Sequence, residues 1–283
     1  MEENFGKVYR EIRLDKRIKQ KEVCSKNMAI STISKLENGK EIPNFLYMCK
    51  LLEKIDMTLH EFEYHCNKDF PSVRTKLILD FQSITSSAQI DDVQNLLTRC
   101  THYLIYENDI LIKELSDVLT IFLLIHNRKN SSEIKLEEIA NNLWNKIKKR
   151  NEWYHHELDI LNHVLFIFSK EIIFDIIDKL LEHIDDFSDF KPIEPLRISI
   201  LLNLSLILIK NDELTLCEKF SKLAIFYATK SKRYDFIAVA YVRYGISTSD
   251  TTLIDKGLKI LEFIGDETMR VELKKEVDLY IRK

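Results

Sequence analysis

The stretch ISTISKLENGKEIP, residues 30–43, decides how the first part of this chain folds. Ile33 and Leu36 are spaced to share the inner side of a short helix. Gly39 then supplies a residue that tolerates positive φ, as helix ends often require, and Pro43 leads into a further apolar helix. The stretch therefore predicts a short helix with an exposed polar side, followed by a turn and another helix.

The residues before this stretch supply the other half of a helix-turn-helix. QKEVCSK, residues 20–26, predicts a preceding short helix, and NMA, residues 27–29, predicts the tight turn, since Asn27 adopts a left-handed conformation easily. A helix-turn-helix needs two short helices joined in this way, and the second exposes polar side chains to the base edges. An ordinary helical hairpin is the alternative, but the spacing favours DNA binding.

The composition indicates an all-α protein. The 283 residues include only 5 Gly and 4 Pro, so few breakers are available to separate short strands. The five cysteines are scattered without a CxxC pair, which is typical of a reduced cytoplasmic protein. Cys49 is interpreted as an apolar packing residue, although an intersubunit disulfide under oxidation is the alternative.

The sequence contains no pattern that indicates a metal site, a cofactor site or a catalytic site. His155 and His156 are adjacent, and adjacent residues on a helix point about 100° apart. No cysteine or acidic set completes a metal site around them, so we expect none. Because the chain also lacks a glycine-rich phosphate loop and a GxSxG motif, we expect no cofactor and no enzyme activity.

Charge is distributed unevenly along the chain. Residues 1–50 hold 11 Lys and Arg against 7 Asp and Glu, whereas the remaining 233 residues hold 31 against 38. The first part of the chain, called the head below, is thus basic and the remainder acidic. This distribution fits a head that contacts an anion such as nucleic acid. The most apolar run, residues 198–209, is too short to span a bilayer, and the charged N-terminus is not typical of a signal peptide. We therefore expect a cytoplasmic protein that does not bind a membrane.

The chain is predicted to contain two domains. Residues 1–66 form a five-helix helix-turn-helix domain, and residues 67–74, which include Pro71, form a linker. Residues 75–283 contain roughly ten or eleven amphipathic segments with breaks between them, for example at Ser86–Ser87 and Asp185–Ser188. Pairs recur at about the spacing of tetratricopeptide repeats without a strict consensus, which predicts a TPR-like α-solenoid. Such a solenoid has a concave surface suited to an extended peptide.

The first domain resembles the XRE-type (phage-repressor-like) helix-turn-helix family. The resemblance depends on Gln20, on the pattern S-T-I-S-x-x-E-x-G-x-x-x-P at residues 31–43, and on TLHEF at residues 58–62. It implies that Arg13 pairs with Glu37. It also implies that DNA is contacted by Gln20, Ile30, Ser31, Thr32, Ser34, Lys35, Asn38 and Lys40.

Distinct roles follow from the same resemblance. Gln20 and Asn38 are expected to hold phosphates with Lys40 nearby, while Ser31 and Lys35 face base edges. Ile30 is placed to contact a thymine methyl group. Ala29 departs from the family, which often has Ser or Thr before the recognition helix, and this weakens the expected N-cap.

The whole chain resembles the Rgg/GadR/MutR regulators of low-GC Gram-positive bacteria. The resemblance rests on FGKVYREIR (5–13), KLENGKEIPNFLYMCKLLEKIDMTLHEF (35–62), NEWYHHELDIL (151–161) and RISILLNLSLILI (197–209). It implies a homodimeric, DNA-binding transcription regulator that contacts double-stranded promoter DNA and senses a short signalling peptide, as in quorum sensing. A protein-interaction module, or a prophage-type repressor without a peptide ligand, is the alternative.

Candidate peptide-binding residues lie in the second domain. They are Arg150, Asn151, Tyr154, Asn203, Tyr241 and Tyr244, the last two from a cluster that also holds Arg243. Arg150 suits a peptide carboxylate, and Asn203 is an amide inside an otherwise apolar helix, where it must find polar partners. Asn203 is equally consistent with a core residue bonded to neighbouring backbone. Trp153 lies between Asn151 and Tyr154 in the sequence and is interpreted as a core residue.

Overall fold

The computed structural model of the protein describes residues 5–25, 28–69, 71–84, 90–126, 131–183 and 193–281. Within these ranges the elements are sixteen α-helices and one 3-10 turn, so the predicted all-α class is confirmed. The turn residue Asn27 and the predicted breaks at Ser86–Ser87 and Asp185–Ser188 lie outside the described residues. The chain divides into two compact units, Met1–Ile112 and Lys113–Lys283.

The first unit begins with the five predicted helices. They are α1 (Phe5–Asp15), α2 (Gln20–Val23), α3 (Ile30–Glu37), α4 (Phe45–Glu53) and α5 (Leu59–Asp69). Their shared core contains Tyr9, Ile33, Leu36, Leu51 and Phe62, all of them buried. Ile33 and Leu36 therefore point inward, as the helical spacing predicts, and the opposite side of α3 is left for solvent.

Helix α1 packs unusually close to the C-terminal end of α3. A Cβ atom built on Gly6 would lie 1.8 Å from the carbonyl oxygen of Leu36, far inside van der Waals contact. Glycine is therefore required on α1 at this crossing. Gly39 ends α3 with φ of 68°, the left-handed conformation expected at this position.

Side-chain caps start the two helices that follow α3. Asn44 Oδ1 accepts a hydrogen bond from the backbone N–H of Tyr47 at 3.0 Å and caps α4. Thr58 Oγ1 accepts one from the backbone N–H of Glu61 at 3.1 Å, which is one half of the predicted capping box. Each cap satisfies a backbone donor that the first turn of its helix leaves unpaired.

Eleven further α-helices and one 3-10 turn follow in the described part of the chain. The first unit continues with α6 (Val73–Ser83) and α7 (Ile90–Tyr106). The later helices are α8 (Ile110–His126), α9 (Ser131–Ile147), α10 (His155–Val164), the 3-10 turn (Leu165–Ile167), α11 (Lys170–His183), α12 (Glu194–Lys210), α13 (Leu214–Lys230), α14 (Tyr234–Thr248), α15 (Thr251–Ile264) and α16 (Glu267–Tyr280). Pro71 lies between α5 and α6, and the domain boundary predicted at residues 67–74 stays a proposal.

Alternate helices of the second unit form one row. Helix α10 packs on α12, α12 on α14, and α14 on α16, while α13 and α15 fill the spaces between successive members. Contacts between alternate helices as well as successive ones are the arrangement of a TPR-like solenoid, which confirms the predicted architecture. Of the helices in the described ranges, none combines the length and apolar character that crossing a bilayer requires.

Candidate functional site

The solvent side of α3 carries the predicted DNA-contacting residues. Ile30 is 51 % exposed although it is apolar, and Ser31, Lys35 and Asn38 are exposed beside it. Thr32 and Ser34 are half-buried at the edges of this face, and Lys40 is exposed just beyond the helix. An isoleucine with half of its surface exposed in a polar row is consistent with a contact made in a complex.

The buried side of α3 is fixed by an ion pair with α1. Arg13 Nε donates to Glu37 Oε1 at 2.6 Å and Arg13 Nη2 donates to Glu37 Oε2 at 2.8 Å. The remaining guanidinium nitrogen, Nη1, donates to the carbonyl of Ile18 at 2.6 Å. The hydrogen bonds from Arg13 to Glu37 raise the pKa of Arg13 despite the opposing effect of burial. The implied pairing of Arg13 with Glu37 is confirmed.

Gln20 is tied into the same network. Its Nε2 donates to Glu37 Oε2 at 2.8 Å, so Glu37 accepts hydrogen bonds from both α1 and α2. Gln20 remains half-exposed at the first position of α2. Its predicted phosphate contact stays a proposal, and the bond to Glu37 shows how its side chain would be held in place.

The two ends of α3 differ in how they are capped. Ala29 occupies the N-cap position with no side-chain hydrogen bond, as expected from its missing hydroxyl. At the other end Asn38 Nδ2 donates to the carbonyl of Ser34 at 2.7 Å, and Lys35 Nζ lies 3.9 Å from Glu41 Oε2 on the surface. An exposed ion pair at this distance contributes little to stability, so Lys35 can exchange Glu41 for another partner.

Arg150 lies in a cluster of charged side chains in the second unit. It bonds to Glu157 through Nη1, and its Nη2 donates to Glu114 Oε1 at 2.6 Å. His156 Nε2 lies 2.8 Å from the other oxygen of Glu114, which is buried. Burial raises the pKa of Glu114, but the hydrogen bond from His156 and the charge of Arg150 outweigh it and hold the pKa below its ordinary value. Arg150 thus already binds two carboxylates of the protein itself.

The neighbours of Arg150 in sequence have different surroundings. Asn151 is exposed in the bend after α9, and Tyr154 is 62 % exposed at the N-cap of α10. Trp153 is buried, donates through Nε1 to the carbonyl of Ile147 at 3.2 Å, and meets the Trp144 ring edge-on. The core interpretation of Trp153 is confirmed, and of these three residues only Asn151 and Tyr154 are exposed to solvent.

Asn203 lies half-buried on α12 and bonds to α10. Its Nδ2 donates to Asn162 Oδ1 at 2.9 Å, so two amides from successive members of the helix row meet here. Beyond the first two residues of α12, the positions that are not buried recur every three or four residues and share one face: Leu196, Ser199, Asn203, Leu206 and Lys210. This face carries both apolar and polar side chains, and the amide pair at its middle can bond to an extended backbone.

Tyr241 and Tyr244 lie on another side of the helix row. Lys256 of α15 donates to the Tyr241 hydroxyl at 2.8 Å, and Lys222 of α13 lies 5.0 Å from the centre of the Tyr244 ring. Arg243 instead contacts α12 and α16. On a helix, Arg243 is rotated about the axis by about 100° from Tyr244 and by about 200° from Tyr241. Its side chain therefore points away from both tyrosines and towards α12.

Arg243 was grouped with Tyr241 and Tyr244 in the sequence analysis, but its contacts differ from theirs. Its guanidinium donates to the carbonyl of Leu202 on α12 at 2.6 Å and to both carboxylate oxygens of Glu276 on α16. An arginine among the apolar residues of α14 is visible in the sequence, but its partner 33 residues later is not. No group of three or more His, Cys, Asp or Glu in the described part of the chain is placed to hold a metal ion.

Solved structures share this architecture over nearly their whole length. A protein from Listeria monocytogenes EGD-e described as a transcriptional regulator has a TM-score of 0.82 at 16 % identity, covering 100 % of this chain and 98 % of that one. The Streptococcus dysgalactiae SHP pheromone receptor Rgg2 has a TM-score of 0.73 at 14 % identity, covering 97 % and 99 %. Bacillus thuringiensis PlcR, in complex with the peptide PapR7 and DNA, has a TM-score of 0.66 at 14 % identity, covering 99 % and 100 %. At these identities the likeness concerns the fold.

The match to a family model, by contrast, identifies the class of protein to which this chain belongs, which is that of transcriptional regulators. The family described as HTH-type transcriptional regulator Rgg, C-terminal domain, matches residues 87–268. The chain therefore belongs to the Rgg family of transcriptional regulators. No curated protein matches the sequence.

Proposed function

We propose that the protein is a cytoplasmic, homodimeric regulator that binds promoter DNA through the exposed face of α3. The observation that carries this proposal is the division of α3 into two sides. One side is fixed by Arg13, Gln20 and the core, and the other exposes Ile30 and Lys35. A rigid helix with a free polar face fits the major groove. The proposed contacts are Gln20, Ile30, Ser31, Thr32, Ser34, Lys35, Asn38 and Lys40.

We further propose that the helical-repeat domain binds a short signalling peptide and catalyses no reaction. Rgg2 is a pheromone receptor, and PlcR has been seen with a peptide and DNA, which supports the same role here. The amide pair of Asn203 and Asn162 on the row of alternate helices supports a site for extended backbone. The proposed peptide-binding residues are Arg150, Asn151, Tyr154, Asn203, Tyr241 and Tyr244.

A titration with the DNA upstream of the protein's own gene tests the first proposal. Full-length protein is added to this fluorescent duplex and to a scrambled duplex at several salt concentrations, and anisotropy is recorded. We expect tighter binding to the upstream duplex and a steep loss of affinity with salt, because phosphate contacts release counterions. Equal, salt-independent anisotropy on both duplexes would favour a protein-interaction module instead.

Retention of peptides tests the second proposal. Immobilised full-length protein is incubated with a pool of synthetic apolar heptapeptides, and the retained peptides are identified by mass spectrometry. We expect a small set to be retained by the wild type and lost from Asn203→Ala, with Asn211→Ala, at the exposed end of α12, as the matched control. Retention of no peptide would leave a regulator without a peptide ligand.

A further inference from the structure

Arg243 forms a carboxylate-binding site that a residue of the protein itself fills. Its Nε and Nη2 donate to the two oxygens of Glu276 at 3.0 and 2.9 Å, and its Nη1 donates to the carbonyl of Leu202 at 2.6 Å. The Arg243 side chain is 8 % exposed, whereas that of Glu276 is 20 % exposed. The cation is thus fixed in the fold, and the carboxylate approaches it from the surface.

The helix that carries Glu276 is held by few apolar contacts. Of the fourteen residues of α16, all within the described part of the chain, Leu273 alone is buried. Met269, Val271 and Leu279 of the same helix expose large apolar side chains. Helices α14 and α15, by contrast, meet so closely that a Cβ on Gly257 would lie 2.5 Å from the Ala238 carbonyl oxygen. Release of α16 would therefore uncover little core, and the α14–α15 pair would remain.

The position of Arg243 connects it to the polar pair of the helix row. The carbonyl that it binds belongs to Leu202, and the next residue of α12 is Asn203, which meets Asn162 of α10. Two consecutive residues of α12 are therefore hydrogen-bonded to its two neighbours in the row, Leu202 to α14 and Asn203 to α10. An extended backbone that meets the two amides can place its end at the guanidinium.

We propose that Arg243 binds the free C-terminal carboxylate of the peptide, and that Glu276 occupies this position until the peptide replaces it. The inference rests on the peptide binding proposed above. A guanidinium fork binds any carboxylate through two parallel hydrogen bonds, so replacing one carboxylate by another leaves the buried cation compensated. The cost of the exchange is the release of Glu276 and the loosening of α16.

The experiment compares peptides that differ only at their C-terminus. Immobilised full-length protein is incubated with the heptapeptide pool made once as free acids and once as C-terminal amides. We expect free acids to be retained about tenfold more strongly than the matching amides, the order of a charge-assisted hydrogen bond. Arg243→Gln should remove this preference, whereas Arg270→Gln, which affects an ion pair within α16, should keep it.

A second variant tests the role of Glu276 without changing the cation. Glu276→Gln removes the carboxylate that competes with the peptide for Arg243. We therefore expect this variant to retain free acids several-fold more strongly than the wild type does. Glu272→Gln, at an exposed pair on the same helix, is the matched control and should behave as the wild type. Amide hydrogen exchange in α16 should become faster when a retained free-acid peptide is added.

The outcomes separate this inference from peptide binding itself. Equal retention of acids and amides by the wild type would overturn the role of Arg243 while leaving peptide binding intact. A preference that survives in folded Arg243→Gln, or retention that is unchanged in Glu276→Gln, would also overturn it. Slower exchange in α16 on peptide addition would contradict the displacement of Glu276. Retention of no peptide of either kind would refute peptide binding and the inference together.

Discussion

Arg13 and Glu37 form a two-point ion pair that joins the first helix of the head to the C-terminal end of the proposed recognition helix. Their side chains are 5 % and 1 % exposed, so neither charge is compensated by water. The pair therefore depends on both members, because removing one leaves the other buried and unpaired.

Glu37→Gln should destabilise the head. The substitution keeps the shape of the side chain but removes the charge that compensates Arg13, and we expect the free energy of unfolding to fall by about 3 kcal/mol. Urea unfolding followed by circular dichroism measures this. Glu11→Gln, in an exposed pair with Lys7, is the control and should change stability by less than about 0.5 kcal/mol. Equal losses in the two variants would contradict the buried pair's role.

Lys35→Ala should weaken binding to the specific site by about tenfold and binding to scrambled DNA much less. A side chain that reads a base edge contributes roughly 1–3 kcal/mol of discrimination. Anisotropy titrations on the two duplexes measure the ratio. Lys7→Ala removes a similarly exposed lysine from α1 and should leave that ratio unchanged. Equal losses of Lys35→Ala on both duplexes would speak against base reading.

Gln20→Ala should weaken binding to all duplexes alike and reduce the salt slope by about 1, because a phosphate contact carries no sequence information. The same substitution removes the hydrogen bond to Glu37, so the stability of the variant must be measured as well as its affinity for DNA. A loss of specificity without a change in slope would contradict the phosphate role.

Gly257→Ala should destabilise the second unit. The added Cβ would lie 2.5 Å from the Ala238 carbonyl oxygen and 2.7 Å from Val242 Cγ2, so α15 must move away from α14 at a cost of about 1–3 kcal/mol. Thermal unfolding measures the change. Asp255→Ala, at an exposed position of α15, provides the comparison, and a similar midpoint for both variants would refute the close contact.

Glu114 should contribute stability that is lost in acid. Its pKa is held below the ordinary glutamate value in the folded protein by His156 and Arg150, in spite of burial. A carboxyl with a lowered folded pKa stabilises the fold above its unfolded pKa and ceases to do so as the pH falls through the folded value. The stability difference between the wild type and Glu114→Gln should therefore be large near pH 7 and shrink below about pH 4. A difference that is independent of pH would contradict this.

Local features of the fold follow from the sequence because they depend on neighbouring residues. The helical spacing of Ile33 and Leu36 predicts their burial, and Gly39 predicts the end of α3. Arg13 and Glu37 are 24 residues apart, and a family pattern was needed to anticipate their pairing.

Side-chain partners from distant helices could not be predicted in this way. Arg150 looked available to a peptide carboxylate, yet Glu114, 36 residues earlier, binds it. Tyr241 and Tyr244 were grouped because they are close in sequence, whereas their side chains contact different helices, α15 and α13. The bond between Asn203 and Asn162 depends on how α10 packs on α12, which no local pattern specifies.

The absence of a Cβ at Gly6 lets α1 rest directly on the backbone of Leu36, next to the Arg13–Glu37 pair. The proposed recognition helix, α3, consequently cannot tilt against α1 without breaking both contacts. In the homodimer proposed above, a signal would therefore have to move each head as one rigid unit, which would alter the distance between half-sites that the dimer tolerates. Base preference within one half-site would stay the same in every state of the regulator.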